Sequence, residues 1–561
     1  MNAPTPPSGD DRPKPSRVPP AERRVPGDRV IGRVMFRPPP SAEPVIGVPP
    51  SILARYNARI LDPSTAVRVK DQGTVRPTVY IGDKLLVSGA ADGNQDVYGP
   101  LREAAKELGL TFDEPAEAGA RRAALRSAAR ESGLEGAERM FAHVVHFEPI
   151  KGAAAAPDAW KVLQSFRALV GTDSSTAGHV SLDHLMFANP YIHGSPYIHG
   201  SPYIHGSPYI HGSGEEAAEY GVAGLGGLAP VVWLGGAPHR TDCGPRRPVV
   251  AVLDTGVGKH PWMTPDVVTR QLVINGVKLG LAGADADSDI ASGVVDPLAG
   301  ELGPEIGHGT FVAGLIRQLC PDADILSIRV MSSDGVAPEH CVLETLTALA
   351  ARQHAAQKGG AAEGFLDVVS LSLGYYHELP PDAAFDHLLL APILALARGG
   401  TAVVVAAGND GTSRPMFPAA FAPHPGGVIS TLDPDCVPVT SVGATNPNGT
   451  TALFSNAGDW VTCRRYGASL VSTVPVNLNG SAQSSYWVRA GAEERATIDP
   501  DDFVSGFATW SGTSFAAPAL AGEIAQKLAE GGCGHLGPVD LDTAVQRGWA
   551  AFSGATQVKR P

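Results

Sequence analysis

The feature that most constrains the fold is the alternation, in the second half of the chain, of continuously apolar segments with segments of helical spacing. Pro248–Leu253 (PVVAVL) is such an apolar segment, and Ala402–Ala407 (AVVVAA) is another. Strands without polar alternation are buried on both faces, which is typical of a parallel sheet covered by helices on each side. The pattern therefore predicts an α/β domain, which we place at residues 230–545.

Length and charge limit the organisation and the partners. A chain of 561 residues exceeds one typical domain, so two folded parts joined by linkers are expected. The formal net charge of −13 disfavours nucleic acid and anionic membranes as partners. The N-terminal segment has no apolar core of the kind a secretory signal needs, and no apolar run is long enough to cross a bilayer, so a cytoplasmic location is expected. The six cysteines are then interpreted as reduced thiols.

The first half divides into a tail and a small domain. Residues 1–50 are rich in proline and charge and are expected to be disordered, because they bury too little surface to offset their ordering entropy. Residues 75–188 alternate strand and helix patterns, with Thr78–Ser88 as a strand and Pro157–Val170 as a helix opened by Pro157 and Asp158. Two successive βαβ units predict a small ferredoxin-like α+β domain.

A perfect tandem repeat, PYIHGS, occupies residues 190–213. A proline in every copy excludes a helix or a central strand, and the period is too short for a solenoid. A semi-extended spacer is the simplest interpretation. Its exposed Tyr-Ile pairs could also be cleaved or bind a partner, and its histidines could collect a metal ion: His193, His199, His205 and His211.

Two polar residues in the α/β domain stand where a site is expected. Asp254 follows the first apolar strand in the sequence DTG, and open α/β sheets place their sites at such strand ends. An aspartic protease would require a second DTG, which the sequence lacks. His308 opens a helical segment between two glycines that leave its imidazole approachable, so a role in core packing explains it poorly.

Ser514 and Asn409 complete the set. Ser514 opens a helical segment in the sequence GTSFAAP, where Pro518 is tolerated because the first turn has unpaired amides. Helix capping is the alternative role for this serine. Asn409 follows the strand that ends at Ala407. It could form the turn of an Asn-Asp-Gly sequence, or its amide could donate to a tetrahedral oxyanion.

In their order along the chain, the segments around Asp254, His308, Asn409 and Ser514 resemble the signatures of the subtilisin-like serine peptidases, the subtilases. The resemblance covers about residues 245–535. It implies a subtilisin-like fold and hydrolysis of peptide bonds through an acyl-enzyme. Ser514 would be the nucleophile, His308 the general base and acid, Asp254 the group that orients the imidazole, and Asn409 the oxyanion donor.

The resemblance also implies where protein or peptide substrates bind. The strand segment Val368–Gly374, which contains Ser372, Leu373 and Gly374, resembles the family's edge that pairs with an extended peptide, and Gly408 lies beside the oxyanion donor. A plain core strand is the alternative for this edge. No cofactor is required. Calcium, which subtilases often bind, is a possibility at Asp285, Asp287 and Asp289, although Ile290 stands where an EF-hand needs glycine.

Two departures from the family pattern remain. A polar insertion at about Val476–Phe507 could gate the cleft or form a surface loop. The domain at 75–188 has the shape of a subtilase prodomain, which predicts intramolecular inhibition. A permanent regulatory domain is the alternative. A catalytically silent scaffold acting through the N-terminal domain and the repeats is the competing function.

Overall fold

The N-terminal part is built on an antiparallel sheet with two helices packed on one face. A computed structural model describes residues 46–69, 75–88, 97–112, 119–152, 156–172, 174–188, 220, 226–241, 246–281, 294–296, 300–379, 388–530, 536–537 and 539–561. The predictions for the PYIHGS repeat, for Asp285–Asp289 and for residues 1–45 lie outside these ranges. The N-terminal strands are β1 (Ala58–Leu61), β2 (Thr78–Val87), β3 (Leu110–Thr111), β4 (His143–His146), β5 (Glu148–Pro149) and β6 (Val180–Ala188). The helices are α1 (Pro50–Arg55), α2 (Tyr98–Glu107), α3 (Gly119–Ser132), α4 (Ala137–Met140), α5 (Ala159–Val170) and α6 (Ser175–Gly178).

The long strand β2 organises this part. It pairs with β1, β4 and β6, all antiparallel. Helices α2 and α5 bury Leu101, Trp160 and Phe166 against this sheet. Asp158 caps α5 by accepting a hydrogen bond from the Lys161 N–H at 3.4 Å, so the predicted start of this helix is confirmed.

The folded N-terminal part begins before residue 75. Strand β1 pairs along β2, and α1 packs Ile52 with Val79 and Leu185 of the sheet. The first described helix thus begins at Pro50, where the predicted tail ends, and β1 lies before residue 75, where the domain was predicted to begin. The proline-rich composition hid a short helix whose first turn accepts proline without loss of a hydrogen bond.

The second part contains the predicted parallel sheet. Its strands are β7 (Ala229–Pro230), β8 (Val249–Asp254), β9 (Val268–Arg270), β10 (Val273–Ile274), β11 (Val277–Lys278), β12 (Val294–Asp296), β13 (Glu301–Leu302), β14 (Asp324–Arg329), β15 (Val336–Pro338), β16 (Val368–Leu371), β17 (Leu373–Gly374), β18 (Ala402–Ala406), β19 (Thr440–Thr445), β20 (Cys463–Tyr466), β21 (Leu470–Thr473), β22 (Trp487–Ala490), β23 (Glu493–Ala496) and β24 (Phe507–Trp510). Seven of them form one sheet in the order β20-β19-β18-β16-β8-β14-β9, and every pairing in it is parallel.

Helices cover both faces of this sheet. They are α7 (His308–Leu319), α8 (Glu339–Gly359), α9 (Leu390–Arg398), α10 (Thr513–Ala529) and α11 (Leu541–Thr556). Alternate residues of the central strands enter two cores: Val250 and Val252 pack with α7, α10 and α11, whereas Ala251 and Leu253 pack with α8 and α9. Because α11 extends to Thr556, the predicted end of the domain at residue 545 is too early. None of the described helices has the length and hydropathy needed to cross a membrane.

The position of β8 in the sheet explains where the site forms. The chain leaves β8 through α7 toward β14 on one side, and then returns through α8 to β16 on the other. A crevice opens at the carboxyl ends of the strands where the direction of winding reverses. Asp254 is the last residue of β8 and therefore lies at this crevice.

The two parts of the chain share a second sheet. Strand β6 lies between β15 and β17, antiparallel to both, and Ser41–Pro561 forms one compact unit. The predicted strand Val368–Gly374 is thus two strands, because the chain leaves the parallel sheet at Ser372 and β17 joins β6 instead.

The insertion at Val476–Phe507, which precedes the segment of Ser514, is anchored at its base and exposed at its tip. Leu478 and Phe503 pack into the core beside Val474. The hairpin formed by β22 and β23 is exposed at every residue, so its tip is a surface element.

Candidate active site

A buried carboxylate and imidazole form the centre of the site. His308 Nδ1 and Asp254 Oδ1 are 2.7 Å apart, and the two side chains are 0% and 1% exposed. The Thr255 N–H donates to the same Oδ1 at 2.7 Å. His308 Nε2 is buried and has no hydrogen-bond partner among the described residues. This arrangement holds the imidazole by one nitrogen and leaves the other available.

Close approach of α7 to the end of β8 makes this pair possible. A Cβ atom on Gly309 would lie 2.3 Å from the carbonyl oxygen of Gly256 and 3.1 Å from Asp254 Oδ1. Only glycine allows the helix to start this near the strand. Gly309 therefore serves mainly to let the start of α7 approach the end of β8, a role that the sequence pattern alone did not reveal.

Ser514 lies in the first turn of α10. Its backbone carbonyl accepts a hydrogen bond from Ser372 Oγ at 2.9 Å, and its own Oγ is 3.5 Å from the Ser372 carbonyl oxygen. The next residue, Phe515, packs its ring 5.1 Å from the His308 imidazole, centroid to centroid. The residue that follows Ser514 thus packs against His308, while the Ser514 hydroxyl faces Ser372 in the described structure.

Asn409 projects a free amide group at the same end of the sheet. Its Oδ1 accepts hydrogen bonds from the N–H and the hydroxyl of Thr513, each at 2.9 Å. Its Nδ2 is buried and lacks a hydrogen-bond partner in the described part of the chain. The Thr513 contacts fix which end of the carboxamide points away from the helix, so Nδ2 is presented as a donor.

Gly408 and Asn456 shape the turn that carries Asn409. Gly408 has φ +106, and a Cβ there would lie 2.3 Å from Asn456 Nδ2. Asn456 accepts hydrogen bonds from the N–H groups of Asp410 and Thr412, both at 3.1 Å, and donates to the Ala407 carbonyl at 2.9 Å. Sequence reasoning missed Asn456, because a lone asparagine in a loop carries no distinctive pattern.

The predicted substrate edge is occupied by the chain's own N-terminal part. Leu373 is opposite Ala188 and Gly374 is opposite Phe187, while β15 pairs with Leu185–Phe187 on the other side. The last described residue of β6, Ala188, donates its N–H to the Gly335 carbonyl at 2.7 Å. An extended segment therefore runs between two strands directly toward Ser372.

Three contacts between histidine and carboxylate side chains accompany this strand. His184 Nδ1 is 2.6 Å from Glu339 Oε2, and its Nε2 is 2.9 Å from Glu378 Oε2. Asp183 pairs with His340 at 2.7 Å. Desolvation disfavours the charged imidazole, but the two glutamates outweigh it and raise the pKa of His184 to about 10. Burial also opposes ionisation of Glu378, yet the neighbouring histidines hold the pKa of this carboxyl below its usual range.

One further acidic residue, Glu305, lies near the pair formed by Asp254 and His308. Glu305, three residues before His308, is 3% exposed, and its Oε2 is buried without a hydrogen-bond partner in the described structure. Desolvation, together with the charges of Asp254 and Asp334, raises its pKa well above the ordinary value. Sequence reasoning missed Glu305, since its burial depends on the loop around Gly335.

Among the described residues, one group of side chains lies close enough together to hold a metal ion. It consists of His184, which is on β6, with His377 and Glu378. Cys320, Cys341, Cys436 and Cys463 are free thiols, and burial raises the pKa of Cys320 and of Cys436 to about 11. Cys320 and Cys436 are therefore protonated near neutral pH.

Comparison with known proteins identifies a family that the chain matches and several relatives. Residues 246–538 match the family described as the subtilase family. An extracellular protease of Xanthomonas campestris pv. campestris is 24% identical over 55% of this chain and 48% of its own length. Subtilisin BL of Lederbergia lenta is 27% identical over 43% of this chain and 74% of its own length.

The solved structures include a cold adapted subtilisin-like serine proteinase, which is 21% identical, covers 53% of this chain and 79% of its own, and has a TM-score of 0.32. The chain spans about half the length of the first of these relatives. Because the family match extends over more than half of the residues, the chain belongs to the subtilase family.

Proposed function

We propose that this protein is a serine endopeptidase that acts on protein or peptide substrates. The observation that carries the proposal is the buried contact between Asp254 and His308, which leaves Nε2 of the imidazole without a partner. A carboxylate that holds one ring nitrogen fixes the tautomer in which the other nitrogen accepts a proton. Membership of the subtilase family supports the same activity.

The proposed reaction has two halves, formation and hydrolysis of the acyl-enzyme, and each catalytic group acts once in each half. Ser514 Oγ rotates from Ser372 toward His308 Nε2, gives up its proton and attacks the scissile carbonyl. The resulting oxyanion accepts hydrogen bonds from Asn409 Nδ2 and from the Ser514 N–H, which lies at the positive end of α10. The protonated imidazole then passes its proton to the leaving amine. Water repeats the sequence on the acyl-enzyme and restores Ser514.

A fluorophosphonate probe tests the proposal. Once β6 has been released by a cut after Ala188, the wild-type chain is expected to be labelled covalently, whereas Ser514→Ala and His308→Ala treated in the same way should not be labelled, because the first lacks the nucleophile and the second lacks its base. Ser485→Ala, which changes an exposed serine, is the matched control and should be labelled like the wild type. A folded wild-type chain that resists the probe under all conditions would favour the alternative of a catalytically silent scaffold.

The oxyanion role of Asn409 gives a second prediction. Asn409→Ala is expected to lower kcat by about 10² to 10³, the magnitude known for this kind of donor in subtilisin, another subtilase. The KM should change little, because the donor acts mainly on charge that develops in the transition state. Steady-state kinetics on one peptide would measure both constants, with Asn448→Ala as an exposed control. An unchanged kcat would contradict the assignment.

We also propose that the N-terminal domain inhibits the same site within the chain. Strand β6 takes up both edges with which a substrate strand would pair, β15 and β17. Ser514 and His308 have no exposed surface in the intact chain. An extended peptide bound in this cleft would have to displace β6, so removal or release of the domain is the step that exposes the site.

A further inference from the structure

Glu305 is an acidic group that the proposed reaction does not use. Its side chain is buried, and no hydrogen bond to its Oε2 is formed by the described residues. The nearby carboxylates have partners: Asp254 holds His308 at 2.7 Å, and Asp334 pairs with Arg55 at 3.1 Å. Burying a carboxyl without a partner costs free energy, so this residue lacks a ligand that the described residues do not supply.

The neighbours of Gly335 show from which residue a ligand could reach Glu305. A Cβ built on Gly335 would meet Glu305 Cγ at 2.4 Å and Ala188 Cβ at 3.3 Å. The side chains of Glu305 and Ala188 therefore approach the same side of Gly335. The backbone is tied at this point as well, since the Glu305 N–H donates to Ser333 at 2.9 Å and the Ala188 N–H donates to Gly335 at 2.7 Å. A side chain longer than alanine in the place of Ala188 could reach Glu305.

The register of β6 gives the substrate position. Gly374 is opposite Phe187 and Leu373 is opposite Ala188. A substrate strand continued in this register has its next residue opposite Ser372, whose carbonyl oxygen lies 3.5 Å from Ser514 Oγ. The residue in the place of Ala188 is then the second one before the cleaved bond. This step rests on the proposed peptidase function.

We propose that Glu305 selects lysine or arginine at the second substrate residue before the cleaved bond. A cation there would form a charge-assisted hydrogen bond with a carboxylate that otherwise lacks one. It would also lie near Asp254 and Asp334, which makes the surroundings negative. The chain's own Ala188 leaves Glu305 unpaired, so the inhibitory strand omits the contact that a preferred substrate would make.

Peptides that differ at one residue test the proposal. Quenched fluorescent peptides carry lysine or norleucine at the second residue before the cut, and mass spectrometry confirms the cut. We expect kcat/KM to be about tenfold or more higher for lysine, as for hydrogen bonds to charged groups. The ratio should fall on acidification, because only the ionised Glu305 attracts the cation. Hydrolysis with a ratio near one would overturn the selection while leaving the peptidase function standing; no hydrolysis of any peptide after β6 has been released would instead overturn the function.

Substitution assigns the effect to one residue. Glu305→Gln should reduce the ratio to about one, whereas the exposed Glu301→Gln should keep it. A ratio that survives in Glu305→Gln would overturn the proposal, since another acidic group would then make the contact.

A readout without catalysis keeps the proposal testable if Glu305→Gln folds poorly. In the Ser514→Ala chain, Ala188→Lys should protect the amides of β6 from hydrogen exchange about tenfold more than Ala188→Met, which has similar length without charge. Equal protection by lysine and methionine would overturn the proposal, whatever the kinetics show.

Discussion

Replacement of His308 by alanine is expected to lower kcat for peptide hydrolysis by about 10⁶, and replacement of Asp254 by asparagine by about 10⁴, the magnitudes known for subtilisin and for a comparable protease. In the proposed reaction, His308 takes the proton of Ser514. Asparagine would present an N–H to Nδ1 and so favour the tautomer in which Nε2 carries a proton. The imidazole would then remain in place but could not act as a base.

Single and double substitutions measured under substrate saturation separate these roles. Adding Asp254→Asn to His308→Ala should cost little further activity, because the two residues act as one unit. His239→Ala, at an exposed site, is the control. If His308→Ala kept a tenth of the wild-type kcat, or if the two losses multiplied, the proposed chain of contacts from Asp254 to Ser514 would be wrong.

Docking of β6 is expected to weaken about tenfold for each pH unit between about 6.5 and 10. The pKa of His184 is about 10 when it lies between Glu339 and Glu378, and its ordinary value is 6.5. Its contribution to docking is therefore complete below 6.5 and is lost as the pH rises through 10, because docking must then take up a proton. The pH dependence of docking has the same direction for His340. Burial alone would lower the pKa of this histidine, but Asp183 raises it.

Glu378, the carboxylate beside His184, makes docking depend on pH in the opposite direction. The depressed pKa of Glu378 means that its contribution is complete above the ordinary value of 4.5 and is lost as the pH falls further. Docking should thus be tightest between about 4.5 and 6.5. The other groups that face this contact are His377, Tyr375, Arg167 from α5, and Tyr80 of β2 with its partner Asp158.

Hydrogen exchange of the β6 amides in Ser514→Ala would measure this dependence, after correction for the intrinsic effect of pH. His184→Gln should remove the tenfold-per-unit part of the slope that His184 contributes and leave only the part due to His340, whereas His146→Gln, at a half-exposed site on β4, should leave the slope unchanged. A flat profile in the parent chain would refute the prediction. Loss of protection on adding a chelator at constant pH would point to a metal ion, and not a proton, between His184, His377 and Glu378.

The parallel sheet was predictable from local pattern, whereas the contact between the two parts was not. Pro248–Leu253 has an apolar residue at every position, and this signal does not depend on distant neighbours. By contrast, β15 contains Pro338 and does not resemble a strand in sequence, and β17 was predicted only as the end of the strand Val368–Gly374. Both form because β6, which is remote along the chain, supplies their hydrogen-bond partner.

The same distinction applies within the site. The DTG and GHG sequences were informative because a strand end and a helix start have strict backbone requirements. The burial of Glu305 and the partners of His184 arise from loops and domains that meet only after folding. Such long-range contacts leave no periodic signal, so a single sequence cannot indicate them.

The covalent connection of β6 to the catalytic part sets how inhibition depends on concentration. A tethered ligand acts at an effective concentration on the order of millimolar, whatever the amount of protein present. One cut between Ala188 and Val249 would turn the strand into an ordinary bimolecular ligand, which dilution removes. Activation would then be slow to reverse in dilute solution but self-limiting where the protein is crowded.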